Sequence, residues 1–432
     1  MRRMPRRTAE RWAEFRGYTP TDRNLFYMCI EIIPAGIATG MIGFNAPFVL
    51  KLGGSNTLIS LMLSLPALMA IIFSVPFGNF MERQTNRKPY IVGALALART
   101  LFVAMGLVPW VLPHEVQPYA IVGLAVLQAI PVALFNAGWL SLMADACPPN
   151  RRSAFFSMRW LLIAFSWGIS SFLSGLWLER VPFPLNYQVL NFAGCVAAQL
   201  STYLVSLPIY PTYKVEAKKQ HAAGNMFDVC ARLQGFRTFA QNHKPYANLN
   251  IATLVTFIGV WGAAPLLTLY FVKTLKLTEG WLGVNGLLAQ LGTAIGAFVG
   301  GQIIRRTGNT WVLKRILAVF WLYPLLIVLV PNPTMIWVLS FLGIALDPVM
   351  NVTLLTALYD LIPEQRRSSW MSSHVALMNV GAMLAPLITV QVANTLTVQW
   401  ALVACALVRL IGVGLFFGLA LRRQSSTLSE PG

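Results

Sequence analysis

The chain has 432 residues, of which 56% are hydrophobic and 11% charged, with a formal net charge of +18. Soluble domains carry about 25% charged residues, so this composition excludes a water-soluble protein and, with it, a nucleic-acid reading of the positive charge. The five cysteines include no CxxC spacing and there is no GxxxxGK[ST] phosphate loop, so no metal site, disulfide framework or nucleotide cofactor is expected.

A basic tail over 1–24 holds seven arginines and leads into a full-length span rather than a short cleavable segment. The first six apolar blocks then cover 25–50, 56–79, 89–112, 117–144, 155–178 and 187–208. Each is long enough to cross a bilayer, which takes about 20 residues. Residues 209–245 interrupt the pattern with a basic linker. Within it Met226, Phe227, Val229, Cys230, Leu233, Phe236, Phe239 and Ala240 fall at helical spacing, predicting an amphipathic helix at the membrane interface. Six further blocks cover 281–304, 311–330, 334–359, 369–395 and 398–421, after a first at 246–272, and a tail fills 422–432. The expected architecture is therefore all-α, with twelve membrane helices in two six-helix bundles over 25–208 and 246–421.

Charge placement sets the topology. With both termini on one side, only four of the 33 Lys and Arg fall opposite: Lys51, Arg180, Lys273 and Lys276. Arg99 and Arg409 lie within spans, and the remaining 27 share the side of the termini. Cytoplasmic loops carry the Lys/Arg excess, so both termini are expected in the cytoplasm of a cell bounded by this plasma (inner) membrane.

The chain also repeats itself. Asp145…Pro148…Arg152-Ser153 returns 215 residues later as Asp360…Pro363…Arg367-Ser368, and Gly78…Glu82-Arg83 returns 223 residues later as Gly301…Arg305-Arg306. Two loops repeating at nearly one period indicate an internal duplication of parallel halves.

These residues resemble the major facilitator superfamily of secondary transporters. The family's loop motif Gly-x-x-x-Asp-Arg-x-Gly-x-[Arg/Lys]-[Arg/Lys] is matched by Gly78, Glu82, Arg83, Arg87 and Lys88, with Glu in the Asp place and Thr85 where the second Gly belongs. The resemblance implies a cytoplasmic gate made of these residues with Asp145, Arg152, Asp360 and Arg367. Glu82 would face Ser368 and Ser369 at the start of helix 11, and Gly78 would permit a close helix approach. The Arg-x-x-Gln-Gly and Gly-Pro patterns of the family's drug–proton exchangers are absent, Ala125 standing in the Arg place ahead of Gln128.

Four ionisable side chains sit well within the spans: Glu31, Arg99, Asp347 and Arg409. Each costs about 2.5–3.5 kcal/mol at mid-bilayer if unpaired. Similar depths along their helices, with the family's symmetry, suggest the pairs Glu31–Arg99 and Asp347–Arg409 as sites of proton coupling or substrate binding. The resemblance places helices 1, 4, 7 and 10 around a central cavity, making Asn45, Gln128, Asn136, Thr256, Trp261 and Asn351 candidate lining residues. His374 and Arg159, related by the 215-residue repeat, are expected to face headgroups.

The function expected is secondary transport of a small amphipathic or lipophilic organic solute by alternating access, coupled to protons, in the manner of efflux carriers. Lipid flipping, or a non-transporting assembly or receptor role, is the alternative. The expected partners are lipid, solute and H⁺, with no cofactor, no nucleic acid and a monomeric chain; no nucleophile–base pair suggests an enzyme.

Overall fold

The computed structural model describes residues 20–148, 151–208, 243–362 and 367–420. The linker helix expected over 226–240 and both tails lie outside these residues, apart from a few positions at the edges. Among the described residues, twelve helices are long and apolar enough to cross a membrane. They are α1 (Asp22–Lys51), α2 (Asn56–Glu82), α3 (Lys88–Val111), α4 (Gln117–Ala146), α5 (Arg152–Arg180) and α6 (Leu185–Ser206), then α7 (Lys244–Thr274), α8 (Glu279–Thr307), α9 (Asn309–Leu329), α10 (Pro333–Leu361), α11 (Arg367–Thr395) and α12 (Val398–Gly418). Alternation in direction puts the start of α1 and the end of α12 on one face, called proximal below; the other face is distal.

Short polar side chains start many of the distal ends. Ser55, Thr278 and Thr397 accept from the backbone N–H three residues on, and Asn332 accepts from Thr334 and Met335. These caps satisfy N–H groups that have no partner within the helix.

The packing repeats as the sequence does. In the first half α1 packs on α5 and α6, α2 on α4, and α3 on α4 and α6. Adding six to each number gives the second half: α7 on α11 and α12, α8 on α10, and α9 on α10 and α12. The halves meet through α5 against α8 and α2 against α11, two contacts that the same operation exchanges. Small residues allow the approach: a Cβ on Gly175 of α5 would lie 2.5 Å from the Glu279 carbonyl and 2.9 Å from the Gly283 Cα of α8.

The buried apolar residues are divided unevenly along the membrane normal. Toward the distal face one cluster joins both halves, with Phe48, Leu58 and Tyr187 beside Leu266, Tyr270 and Trp281. Toward the proximal face each half has its own, around Met28, Met81 and Trp139 in one and around Tyr246, Leu313 and Trp370 in the other. Among the described residues, the buried apolar core is shared by the halves toward the distal face and divided between them toward the proximal face.

Candidate functional site

Helix α1 loses its regularity at Glu31, between segments Pro20–Ile30 and Ile32–Ile42. Pro34 has no N–H to give to the Ile30 carbonyl, so the helix ladder is weakened at this point. Arg159 of α5 enters this break: its guanidinium bonds the Met28 carbonyl and sits 2.7 Å (Nη2 to Oε1) from the Glu31 carboxylate. Ser201 of α6 donates to the other carboxylate oxygen at 2.8 Å. Glu31 is 3% and Arg159 7% exposed, so this is a buried ion pair. The guanidinium also lies 5.8 Å from the Trp139 ring of α4 and 5.7 Å from that of Phe155. One charged cluster thus joins α1, α4, α5 and α6.

The expected Glu31–Arg99 pair does not form. Arg99 of α3 donates to the Ala198 carbonyl at 2.5 Å and to Thr202 Oγ1 at 2.8 Å. Neighbouring residues of α6 therefore serve the two groups separately, Ser201 taking the acid and Thr202 the arginine. Nor does Asp347 reach Arg409 within ion-pair distance: Arg409 is buried in α12, donates to the Phe320 carbonyl of α9 at 3.3 Å and lies 5.2 Å from the Phe320 ring. The α3–α6 and α9–α12 interfaces are equivalent in the two halves, but the arginine comes from α3 in the first and from α12 in the second. Depth along the normal is readable from sequence, but the rotation that chose these partners is not.

Arg159 and His374 do not face headgroups. In the second half His374 Nδ1 lies 2.6 Å from Asn250 Oδ1. Residues 250 and 374 follow 31 and 159 by 219 and 215, close to the period of the loop repeat. The α7–α11 contact thus holds a neutral pair where α1–α5 holds a charged one. The repeat was the signal that could have found this.

Of the cavity candidates, Trp261 and Asn351 share a pocket of about 270 Å³ with Phe257, His374 and Met378, between α7, α10 and α11. The others do different work. Asn45 accepts from Asn191 at 3.0 Å, and Gln128 donates to the Ala98 carbonyl at 2.9 Å, each tying one helix to its neighbour. Thr256 is buried, bonds the Ala252 carbonyl of its own helix and packs on Gly412 of α12. Asn136 is exposed on α4.

The loop motif is open to solvent. Glu82, Arg83 and Asp360 are exposed, Arg87 caps α2 through the Met81 carbonyl at 3.0 Å, and Lys88 reaches the Pro208 carbonyl at 3.1 Å. A Cβ on Gly78 would meet nothing within 4 Å, so the close approach expected there is absent from this conformation. The side chains of Asp145, Arg152, Arg367, Ser368 and Ser369 lie outside the described residues.

Polar contacts between the halves that the sequence reading missed occur at the distal face. Lys51 pairs with Glu279, Tyr187 donates to the same carboxylate at 3.0 Å, and Glu179 accepts from the Gly280 N–H at 3.0 Å at the start of α8. Asn56 donates to Asn394 at 3.0 Å and accepts from Lys273 at 2.7 Å. The scarcity of charge on that side was the available clue.

The family model described as Major Facilitator Superfamily matches residues 28–243 and 249–431. The chain belongs to this superfamily. Its fold is that of a bacterial homologue of the iron transporter ferroportin in an inward-facing state (TM-score 0.70, 13% identity, 93% of this chain and 99% of that one covered). It is equally that of the nucleoside transporter NupG (0.66, 12%, 92% and 100%) and of an inward-facing bacterial homologue of the human lysosomal transporter Spinster (0.66, 13%, 93% and 97%). No curated protein matches the sequence. The membrane helices and the superfamily together make this a multi-pass protein with a transporter fold.

Proposed function

We propose that this superfamily member carries a small amphipathic or lipophilic organic solute across the plasma (inner) membrane by alternating access, coupled to protons at Glu31. The observation that carries the reading is the one-sided closure among the described residues: a shared core and breakable polar contacts at the distal face, separate buried cores at the proximal face. The Lys/Arg distribution supports a cytoplasmic proximal side; on that reading this conformation is inward-facing and the Glu279 contacts form the closed outer gate.

Coupling follows from what α5 touches. Arg159 near its proximal end holds Glu31, and its distal half packs on α8 of the other half. A proton arriving on Glu31 cancels one charge of the buried pair and weakens the hold of α1 on α5. Because α5 is also the larger contact with the opposite half, its release is transmitted to the interface that must rock. The pocket on α7, α10 and α11 offers the solute a mainly apolar wall with aromatic faces.

Proteoliposomes containing the full chain, challenged with lipophilic cations, neutral amphiphiles and sugars, test this. Solute-dependent proton movement that disappears in Glu31→Gln is expected; movement that persists in the variant removes Glu31 from coupling. Lipid flipping draws support from a second cavity of about 610 Å³ between α1, α5 and α6, lined by Ile37, Phe165, Leu173 and Val189. Scrambling of a fluorescent phospholipid by the same vesicles, without solute flux, would favour that reading.

A further inference from the structure

The hydrogen bonds around His374 define the chemistry of the α7–α10–α11 pocket. Asn250 spends its amide N–H on the Tyr246 carbonyl at 2.8 Å, so its Oδ1 faces His374 as an acceptor. His374 must then carry its proton on Nδ1, and in the neutral ring Nε2 is left as an acceptor. Asn351, on the facing wall, is oriented in the same sense. Its Nδ2 donates to the Asp347 carbonyl of its own helix at 2.9 Å, leaving Oδ1 with no partner among the described residues. Thr253 also lines the pocket but gives its hydroxyl proton to the Leu249 carbonyl at 2.7 Å.

The rest of the wall is apolar or aromatic. Trp261, tilted against Phe257 with ring centroids 5.4 Å apart, and Met378 supply apolar faces for a flat group. Among the described residues no Asp, Glu, Lys or Arg lines the pocket, and the Asp347 carboxylate one turn along α10 is not part of its wall. An ion entering would lose hydration and gain no counter-charge. Two acceptors without a protein partner among the described residues, the Asn351 oxygen open to solvent, set against aromatic surface call for a ligand that brings donors and no charge.

We infer that the second half contains a binding site for neutral aromatic solutes bearing N–H or O–H donors, with His374 Nε2 and Asn351 Oδ1 as the two acceptors. The inference rests on the transport reading above and narrows its substrate class. It also assigns unlike roles to equivalent positions: the α1–α5 pair carries charge, and the α7–α11 pair aligns a neutral imidazole.

The test uses the full chain in nanodiscs, labelled with ¹⁵N-histidine, and three compounds sharing one ring system: indole-3-carboxamide, indole-3-carboxylate and tryptamine. The chain has four histidines, so the His374 signal is identified by its loss in His374→Gln. Should that variant not fold, replacing His114, His221 and His243 in turn identifies it by elimination. The neutral carboxamide is expected to shift the Nε2 resonance saturably, and the two charged compounds are not. Asn351→Leu, which breaks only a bond within α10, should raise the apparent Kd about two- to tenfold, the worth of one hydrogen bond. An unmoved resonance with the carboxamide, or equal shifts with all three compounds, overturns the inference. The measurement needs no flux. A saturable shift in a protein that moves no solute keeps the site and discards transport, whereas solute flux with an unmoved His374 discards the site alone.

Discussion

The buried partner of Glu31 can be decided by a thermodynamic cycle. Removing one member of a buried ion pair leaves the other uncompensated and costs about 3–5 kcal/mol, whereas replacing both is often near neutral. Arg159→Met should therefore destabilise strongly, because Glu31 would be left with the Ser201 hydroxyl as its remaining partner and the Met28 carbonyl would lose its donor. Adding Glu31→Gln to Arg159→Met should recover most of the loss, giving a coupling energy at the upper end of the roughly 0.5–3 kcal/mol seen for groups in contact. The same cycle between Glu31 and Arg99 should give a clearly smaller coupling, since the hydrogen bonds of Arg99 run to α6 and the acid acts on it only through space. Reversible unfolding in detergent, followed by tryptophan fluorescence with each single and double variant, supplies the four corners. Additivity for Glu31 and Arg159, or strong coupling for Glu31 and Arg99, would refute the assignment.

Glu279→Ala removes the Lys51 pair and the Tyr187 hydrogen bond at once. Lys51 is 41% exposed, so its pair adds at most about 1 kcal/mol; the hydrogen bond to a carboxylate adds about 1.5–3. The outer gate should shift toward opening by on the order of a hundredfold, read as a longer distance between spin labels at Val116 and Leu396, two exposed distal positions on opposite halves. Gly175→Val should open the same end more completely, because its Cβ has no room against α8; unchanged distances would show that the α5–α8 contact is not the closure. Asn45→Leu strips Asn191 of a buried acceptor and should cost about 1–3 kcal/mol of stability while leaving the Kd for solute unchanged, a change in Kd placing Asn45 in the binding cavity after all.

Most of the fold was legible because a bilayer punishes exposed backbone, which leaves long apolar helices as the solution. The expected span 56–79 became Asn56–Glu82 and 398–421 became Val398–Gly418, errors of a turn or less. The duplication too was written in the loops, and the packing obeys it. What remained hidden was rotation about each helix axis. Asn45, Thr256 and Trp261 all lie on helices expected to line the cavity, yet Asn45 and Thr256 turn toward neighbouring helices and Trp261 turns into the pocket. Hydrophobic periodicity says little about that angle when lipid and protein neighbours are equally apolar.

The duplication nevertheless contains information about rotation, and Arg159 shows how to use it. A basic residue seven positions into α5 could be discounted as part of the positive inner rim, since that rim is full of arginine. Its repeat partner, His374, cannot be dismissed in the same way: an imidazole adds little to a rim, so its recurrence at the same depth argues for a shared inward direction. The facing helix then has to supply a partner at the matching level, and Glu31 and Asn250, offset by nearly the same period, are the polar residues there. Two halves that fold alike but differ in charge at one equivalent contact can divide labour, one half responding to a proton and the other selecting a neutral solute. The shared α5–α8 interface gives the first event a route to the second.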